Sequence, residues 1–432
     1  MDARFFEMAR AATAGSSQIR AISDLADGSR VRGATESRPS EFSPIVRLQL
    51  TDDEGVLEWE ETAGSVLELG DYRSSGAVRT GGSLDAIEME FERLPPSKIT
   101  RFLSRRDDKL TPQRGLRRFD FQTRSLLPSD FPEDGHALVF VHGTFSNSEN
   151  MIAGLSTTDH GVEFLQRADR RYAGNVFTFD HPTLAVGPIL NAMDFQRLIA
   201  GSRAKIDLVG HSRGGLVTRW WCETFDPFAD RCDKAVFVGS PLSGTGLAAG
   251  PNIRDSIHLL TQVSKALQTV AGLTAIAIPV FSVVEVLLRV LTSITGLAAR
   301  TPVADAAMAM IPGLFAMSRV GNNPELRRLL ESSAPAGDRY YAIRSNFQPS
   351  DPGWKFWQRF RKDRIVDAAA GVLFDGANDL VVDTPSMIDL SDEIKISAPR
   401  LCDFGDSETV HHLNYFYQPQ TAAFLGDTLL SV

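Results

Sequence analysis

The fold of this chain is constrained most by a series of short apolar runs that begins after residue 136. The runs are ALVFVH (137–142), NVFTFD (175–180), KIDLVG (205–210), KAVFVG (234–239) and RYYAIRS (339–345). Helix-length segments separate them, and nearly continuous apolar character is typical of strands that are buried on both faces of a parallel sheet. Right-handed strand–helix–strand units place helices on both sides of such a sheet. The sequence therefore predicts an α/β fold.

Residues 1–130 have a different pattern. They are rich in Ser, Gly, Arg and Glu, and they contain short alternating runs at 45–50 and 87–91. Alternation of polar and apolar residues with a period of two predicts half-buried strands. We therefore predict a β-rich or mixed N-terminal module over residues 1–130, which a proline-rich connector at 127–132 separates from a second domain over 131–432. Nothing in this module indicates its function.

An apolar block interrupts the alternation of strands and helices. Only six of the sixty residues from Thr261 to Val320 are charged, and none of these six lies in 266–284. That stretch is nearly long enough to span a bilayer, but polar residues and Pro279 dilute it and weaken insertion. We expect apolar helices that pack on or beside the sheet, with peripheral membrane contact through 261–320 left open.

Composition and charge narrow the class of protein. With 43% hydrophobic and 23% charged residues, the chain has the composition of an ordinary globular protein. The net charge of −9 argues against a nucleic-acid partner, which normally meets a basic face. Three cysteines without CxxC spacing predict neither a disulfide framework nor a zinc site. The N-terminal residues do not form a signal peptide, so we expect a cytoplasmic location, with secretion by a signal-independent route left open.

The third apolar run leads into the sequence GHSRGG (210–215), in which Ser212 stands between two glycines. A G-x-S-x-G sequence between a predicted strand and a predicted helix is typical of a nucleophile elbow. A serine at a helix N-terminus lies beside amide donors and the positive end of the helix dipole, where developing negative charge is stabilised. The sequence therefore predicts that Ser212 is a nucleophile. The alternative is a tight turn that contains an incidental serine.

An oxyanion hole would complete such a site. In VFVHGTFSN (139–147), the turn at Gly143 lets the amide of Thr144 point at a carbonyl oxygen, and the Phe145 amide is the neighbouring option. The second donor is the amide of Arg213, directly after the nucleophile. His142 is then expected to orient this loop and not to act as a base.

A serine nucleophile also needs a base that an acid holds in place. The chain order Ser…Asp…His leaves His411 and His412, in a loop between the strand-like KISAP (395–399) and the last predicted helix. We favour His412, because the aromatic residues that follow it could dock the loop, and His411 stays open. For the acid we favour Asp379, which follows a strand-like segment and a turn, with Asp375 and Asp383 as competitors.

These motifs resemble the α/β-hydrolase superfamily, and its lipase-like members in particular. The resemblance covers residues 135–430 and is carried by HGTF (142–145), GHSRGG (210–215), GSPLSGT (239–245), NDLVVDTPS (378–386) and VHHLNYF (410–416). The family often has N-D-x-V-V-P around the acid, which supports Asp379, whereas this chain has Asp383 in place of the proline. The resemblance implies a helical cap or lid at about 247–320 and a helix at 322–333 that returns the chain to the sheet.

The expected function is carboxylic-ester hydrolysis. Ser212 attacks, His412 transfers the proton and Asp379 orients it, so that no metal or organic cofactor is needed. An apolar insertion favours a lipid or another apolar acyl ester, because apolar burial stabilises such a complex. Met308, Met310 and Met317 are either pocket residues or core residues of the cap. A thioesterase or amidase, a membrane-active phospholipase-type effector and a non-catalytic binding protein are the alternatives.

Overall fold

A computed structural model gives the fold of the chain. It describes residues 3–13, 19–24, 30–32, 45–53, 56–61, 86–226, 230–269, 274–294, 303–319, 321–332, 338–350, 354, 356–357, 373–374 and 376–431. The chain forms two compact units, and each of them is assembled from three segments. The N-terminal unit comprises residues 1–99, 250–308 and 352–360, and the main unit comprises residues 100–249, 309–351 and 361–432.

The main unit is built on an eight-stranded sheet. Its strands follow the order β13-β12-β11-β10-β8-β9-β6-β7, in which β8 to β13 run parallel while β6 and β7 are antiparallel to their neighbours. The strands are β6 Gly115–Asp120, β7 Ser125–Pro128, β8 His136–Val141, β9 Val176–Asp180, β10 Lys205–His211, β11 Cys232–Val238, β12 Tyr340–Phe347 and β13 Leu401–Ser407. All five predicted strands are present, and the predicted α/β-hydrolase fold is confirmed.

Helices flank this sheet. They are α2 Ile99–Leu110, α3 Ser148–Ser156, α4 Asp159–Arg171, α5 Pro188–Leu198, α6 Arg213–Trp220, α10 Pro312–Phe315, α11 Pro324–Leu330 and α12 Pro419–Leu429. Side chains from α3, α4 and α12 share one core with alternate residues of the strands, such as Leu138, Phe140 and Val209. This alternation follows from the pleat, which directs successive side chains to opposite faces of a sheet. Helix α11 lies within the predicted return helix.

The central strand β10 positions the candidate site. Strands β8 and β11 pair with it on either side in parallel register. Because β10 ends at His211 and α6 begins at Arg213, Ser212 alone connects strand to helix. In open α/β sheets, ligands bind outside the carboxyl ends of the strands. Ser212 lies at that edge.

The N-terminal unit contains a five-stranded antiparallel sheet in the order β2-β1-β5-β3-β4, which confirms the predicted β-rich module. Its elements are α1 Ala3–Thr13, β1 Ile19–Asp24, β2 Arg30–Arg32, β3 Ile45–Asp53, β4 Val56–Glu61, β5 Ala86–Glu92, α7 Ile253–Thr269, α8 Thr274–Ile294 and α9 Val303–Ala309. The Trp59 indole of β4 donates a hydrogen bond to Thr261 of α7 at 3.0 Å. Phe281 of α8 contacts the rings of Phe5 and Trp59. The apolar helices therefore cover the face of this sheet.

Two helices, α7 and α8, contain much of the apolar block. The described side chains of α8 are mostly buried, and they include the ion pair between Glu285 and Arg289 at 3.3 Å. Among the residues that the structure describes, no helix combines the length and the apolar character needed to cross a membrane. A lid role for 247–320 stays a prediction.

The organisation of the chain differs from the prediction at two places. The units divide at Ile99 and Thr100 instead of near residue 130, because β6 and β7 belong to the main sheet. These two strands lie at its edge and are only partly buried, so they lack a continuous apolar run. The strand expected at 395–399 is also displaced: Ala398–Arg400 forms a helical turn, and β13 begins at Leu401.

Two stretches of the main unit, one on each side of the inserted segment 250–308, pair with each other. The amide of Thr245 donates a hydrogen bond to the carbonyl oxygen of Met317 at 2.8 Å, and Thr245 forms a parallel bridge with Ser318. The point where the chain leaves the main unit therefore lies beside the point where it returns.

Candidate active site

The backbone of Ser212 is strained at the turn between β10 and α6. Its φ and ψ angles are 54° and −128°, a region that costs energy for any residue with a Cβ atom. Its amide donates a hydrogen bond to the carbonyl oxygen of Val238 at 2.9 Å, which ties the turn to the neighbouring strand β11. The side chain is 6% exposed. The predicted strand–turn–helix context of Ser212 is therefore present.

The glycines around Ser212 are required by close contacts. A Cβ atom on Gly214 would lie 2.1 Å from the carbonyl oxygen of Val141, and one on Gly210 would lie 2.7 Å from the Cα of Gly215. A Cβ atom on Gly143 would lie 2.7 Å from the Cβ of Ser212. Both glycines of the motif therefore allow the turn to pack, and the loop after β8 lies directly against Ser212.

Asp379 and His412 form a buried acid–base pair. The Nδ1–H group of His412 donates a hydrogen bond to Oδ2 of Asp379 at 2.9 Å, and the His412 amide donates to the Asp379 carbonyl oxygen at 2.9 Å. With its proton on Nδ1, the ring keeps a lone pair on Nε2. A Cβ atom on Gly239 would lie 3.1 Å from Oδ2 of Asp379 and 3.2 Å from Nδ1 of His412, so the pair abuts the end of β11.

The competing residues have other partners. The amide of Leu413 donates to Nδ1 of His411 at 3.3 Å, and burial lowers the pKa of His411 to about 4. Asp383 forms an ion pair with Arg319 at 2.9 Å. Asp375 lies outside the described residues. The structure thus brings His412 together with Asp379, the two residues that the sequence favoured.

The residue before the serine connects to the base. His211 donates a hydrogen bond from Nε2 to the carbonyl oxygen of His412 at 3.0 Å, and burial lowers its pKa to about 3. Among the described residues, no hydrogen bond joins the Ser212 hydroxyl to the His412 ring. Catalytic hydrogen bonds are often long without substrate and shorten in the reacting complex.

The two predicted oxyanion donors differ from their neighbour Phe145. Phe145 has a φ of 55°, and its amide donates to the Thr183 hydroxyl at 3.3 Å. Within the described part of the chain, the Thr144 amide has no acceptor, and its hydroxyl lies 3.8 Å from the sulfur of Met317. Arg213 is the first residue of α6, where an amide has no acceptor in its own helix. Among the described residues, neither amide therefore has an acceptor that would compete with its predicted role as an oxyanion donor.

His142 holds the loop after β8. Its Nδ1–H group donates to the carbonyl oxygen of Gly143 at 2.9 Å, and its Nε2 accepts from the His181 amide at 3.2 Å. Burial lowers the pKa of His142, so the ring stays neutral and keeps this pattern of one donor and one acceptor. The arrangement agrees with the predicted orienting role.

Two side-chain roles were missed by the sequence analysis. The Arg213 guanidinium is fully buried and donates to the Gly313 carbonyl oxygen at 3.1 Å and to the Asn191 side chain at 2.8 Å. Burial lowers its pKa to about 10. The Tyr415 hydroxyl donates to Oδ2 of Asp379 at 2.9 Å. The aromatic run after the histidines signalled a docked loop, but nothing in it indicated a bond to the acid.

A cluster of side chains of the kinds that bind metal ions lies in another part of the main unit. Among the described residues, the one set of three ligand-type side chains close enough to hold an ion is His136, Asp207 and Asp233. These residues lie near the amino ends of β8, β10 and β11, at the edge opposite Ser212. Oδ2 of Asp207 already accepts a hydrogen bond from Tyr172 at 2.6 Å and lies 3.0 Å from Nε2 of His136.

Comparison with known proteins assigns the chain to a family. A family model described as a domain of unknown function, DUF7379, matches residues 110–430. The chain belongs to the DUF7379 family. The matched range contains the whole main sheet from β6 to β13, together with Ser212, Asp379 and His412. No curated protein matches the chain.

Solved structures resemble this DUF7379 protein at low identity. The mature lipase BlEst2 of Bacillus licheniformis is 13% identical, with 70% of this chain and 95% of the lipase covered and a TM-score of 0.35. Lipase 1 of Pelosinus fermentans is 14% identical, with 69% and 99% covered and a TM-score of 0.40. A putative aryl esterase of Burkholderia cenocepacia is 14% identical, with 69% and 93% covered and a TM-score of 0.35. The fold assignment rests on the strand order and connections of the main sheet.

Proposed function

We propose that this DUF7379 protein is a serine hydrolase that cleaves carboxylic esters with an apolar acyl group. One observation carries the proposal: a buried Asp379–His412 hydrogen bond of 2.9 Å lies at the sheet edge where Ser212 occupies a strained strand-to-helix turn. A buried carboxylate that fixes the proton on Nδ1 leaves Nε2 to accept the proton of a serine. The three residues lie in one compact unit.

The mechanism requires two chemical steps. His412 takes the hydroxyl proton of Ser212 at Nε2 while the serine oxygen bonds to the ester carbonyl carbon, and the resulting oxyanion accepts hydrogen bonds from the amides of Thr144 and Arg213. Collapse of this intermediate breaks the ester C–O bond, and the alcohol leaves with the proton from His412. Water, activated by the same ring, then releases the carboxylic acid and regenerates Ser212.

The preference for an apolar acyl group rests on the residues beside the oxyanion loop. Met317, which follows α10, places its sulfur 3.8 Å from the Thr144 hydroxyl, and Ile311 and Leu314 of the same segment are buried. A methionine there offers an adaptable apolar wall for an acyl chain. Met308 belongs to the N-terminal unit, and Met310 is partly buried with no described contact to the site.

Hydrolysis of p-nitrophenyl esters of increasing acyl length tests this function. The wild type is compared with Ser212→Ala and with Ser202→Ala, in which a buried serine near the amino end of β10 loses its hydroxyl. We expect at least a thousand-fold (~10³) loss of kcat for Ser212→Ala, because a serine nucleophile has no substitute in this site. For Ser202→Ala we expect a change below about two-fold, within the range of ordinary remote substitutions.

The outcomes separate the alternatives. Rates that rise with acyl length and vanish in Ser212→Ala support an apolar-ester hydrolase, whereas a maximum at acetate removes the apolar preference. Matched thioester and anilide substrates with the same acyl group show whether the scissile bond is another one. Equal activity in the wild type and in Ser212→Ala would exclude the nucleophile. Labelling by a fluorophosphonate, located by mass spectrometry, tests the reactivity of Ser212 without any assumption about the substrate.

A further inference from the structure

We infer that Tyr415 is a positioning residue of this site. Its hydroxyl donates a hydrogen bond to Oδ2 of Asp379 and thereby reduces the negative charge of this oxygen that acts on His412. The inference rests on the proposed function and deepens it, because it names a residue that sets the pH range of the reaction. Tyr415 is not a catalytic residue, since it contacts the acid and neither the nucleophile nor the reacting atoms.

The carboxylate of Asp379 is saturated by four donors. Oδ1 accepts hydrogen bonds from the amides of Val381 at 3.1 Å and Val382 at 2.9 Å. Oδ2 accepts from Nδ1 of His412 and from the hydroxyl of Tyr415, both at 2.9 Å. Two of these donors belong to the backbone, and the third is the base. Tyr415 is therefore the donor that a side-chain substitution can remove while the acid, the base and their turns stay intact.

The surroundings of Tyr415 direct its proton to Asp379. The side chain is buried, and its ring packs against the end of β11, where a Cβ atom on Gly239 would lie 2.7 Å from it. The other described acceptor near the hydroxyl is the sulfur of Met387 at 3.8 Å, which accepts hydrogen bonds only weakly, so the carboxylate of Asp379 is the stronger acceptor. Burial raises the pKa of Tyr415 well above its ordinary value, so the phenol stays protonated as a donor.

Sharing of Oδ2 between two donors has a consequence for the base. The charge on that oxygen stabilises a protonated His412, and a hydrogen bond from Tyr415 weakens this attraction by drawing charge toward the phenol. Without the phenol, the protonated ring is favoured, so the enzyme needs a higher pH to present a free Nε2. The acidic limb of the pH profile of kcat/KM should therefore move to higher pH.

Other titratable groups near the acid do not account for such a limb. His211 and His411 interact with Asp379, but burial lowers their pKa values to about 3 and about 4, below the range in which a histidine base usually titrates. Asp403 is a further charged group that interacts with Tyr415. Neither histidine therefore accounts for a displaced acidic limb in Tyr415→Phe.

The protein contains a matched control. Tyr172 is as deeply buried as Tyr415, and its hydroxyl donates to Oδ2 of Asp207 at 2.6 Å, the same oxygen that lies 3.0 Å from Nε2 of His136. This Tyr–Asp–His group lies at the opposite end of the main sheet. The substitution Tyr172→Phe therefore removes the same kind of hydrogen bond from the same kind of partner, away from Ser212.

The experiment compares the wild type, Tyr415→Phe and Tyr172→Phe by kcat and KM between pH 5 and 9 and by thermal unfolding. For Tyr415→Phe we expect an acidic limb of kcat/KM that is displaced upward by about one pH unit, as for one lost hydrogen bond to a charged group. At pH values below that limb, kcat/KM should therefore be roughly ten-fold lower than in the wild type, with KM unchanged. For Tyr172→Phe we expect a similar loss of stability, with kcat and the limb unchanged.

A second variant, which changes only the strength of the phenol as a donor, tests the inference if Tyr415→Phe does not fold. Replacement of Tyr415 by 3-fluorotyrosine retains the ring and its packing but makes the phenol a stronger donor. The charge on Oδ2 is then drawn further from His412, so the acidic limb should move to lower pH, opposite to the shift in Tyr415→Phe. A purely structural role of Tyr415 predicts no such reversal.

NMR titration of the His412 ring separates failure of this inference from failure of the proposed function. A midpoint that moves upward in Tyr415→Phe and downward with 3-fluorotyrosine supports the inference even if no ester is cleaved. Midpoints that agree with the wild type in both variants overturn it, even if Ser212 proves to be an active nucleophile. Equal limb displacement in Tyr172→Phe and Tyr415→Phe would also overturn it, because the effect would then be general.

Discussion

Replacement of Asp379 by asparagine should inactivate the site through the tautomer of the base. The amide oxygen of Asn can still accept from the amides of Val381 and Val382, which keeps the turn intact. Its NH2 group then faces two donors, the Nδ1–H group of His412 and the Tyr415 hydroxyl. His412 relieves this conflict by carrying its proton on Nε2, the atom that must accept the proton of Ser212.

The magnitude follows from this loss of the correct tautomer. In serine–histidine–aspartate sites such a change lowers kcat by about 10⁴-fold, which corresponds to about 5 kcal/mol of transition-state stabilisation. The unmade hydrogen bond at a buried group adds a loss of about 1–3 kcal/mol in the free energy of unfolding. The assay is kcat for p-nitrophenyl ester hydrolysis at neutral pH, together with thermal unfolding.

The matched control is Asp383→Asn. Asp383 is also buried, but it pairs with Arg319. We expect this variant to lose stability, while its kcat stays within a few-fold of the wild type. A kcat for Asp379→Asn within ten-fold of the wild type would refute the assignment of Asp379 as the acid. The same conclusion follows if Asp383→Asn is the variant that loses activity.

Three further predictions concern packing, pH and membranes. A methyl group at Gly143 would lie 2.7 Å from the Cβ of Ser212, so in Gly143→Ala the serine must move slightly. We expect this variant to fold but to react with a fluorophosphonate at least ten-fold (~10) more slowly, because a small displacement of a reacting group is costly. An unchanged rate would contradict the close contact. Burial lowers the pKa of His411 from the ordinary 6.5 to about 4. Its stabilising contribution is therefore complete above pH 6.5, where the ring is neutral in both the folded and the unfolded chain. As the pH falls toward 4, up to about 3 kcal/mol of the free energy of unfolding is lost, because the unfolded chain binds the proton first. Chemical denaturation of His411→Asn should show a flatter dependence over this range, whereas substitution of the exposed His160 should leave it as in the wild type. Because the described apolar side chains of α8 are buried, the folded protein should not float with liposomes, and flotation would favour the membrane-contact alternative.

The central strands could be predicted because a strand that is buried on both faces is apolar at nearly every position of one continuous run. The runs at 137–142 and 205–210 are apolar at almost every position, as the middle of a covered sheet requires. Strand β13 at the sheet edge has no such apolar run, since its residues are partly or fully exposed and include Asp403 and Asp406. Strands β6 and β7 were assigned to the wrong unit for the same reason.

The candidate site was predictable to the extent that its parts are local. The glycines around Ser212 are required by contacts within one turn, and they are therefore visible in the sequence. His411 and His412 are adjacent, and only the fold of their loop decides which ring meets Asp379. The bond from Tyr415 to Asp379 joins residues that are far apart in the chain, so no spacing rule could reveal it.

The grouping of the apolar helices could not be inferred from composition. An apolar helix must cover an apolar face, but its sequence does not state which sheet provides that face. The prediction placed 247–320 as an insertion of the hydrolase domain. In the structure, α7 and α8 pack on the sheet formed by residues 1–99, and the bond between Trp59 and Thr261 fixes that pairing.

The division of each unit into three chain segments affects how the protein can fold during synthesis. The sheet of residues 1–99 leaves the ribosome before its covering helices, which follow only with residues 250–308. The main sheet is likewise incomplete until β13 and α12 have emerged. The N-terminal unit therefore cannot complete its fold before synthesis of the main unit begins, as it could in vectorial folding of successive domains. A nascent chain that stops before residue 250 would expose apolar faces of both sheets and would need a chaperone to remain free of aggregation.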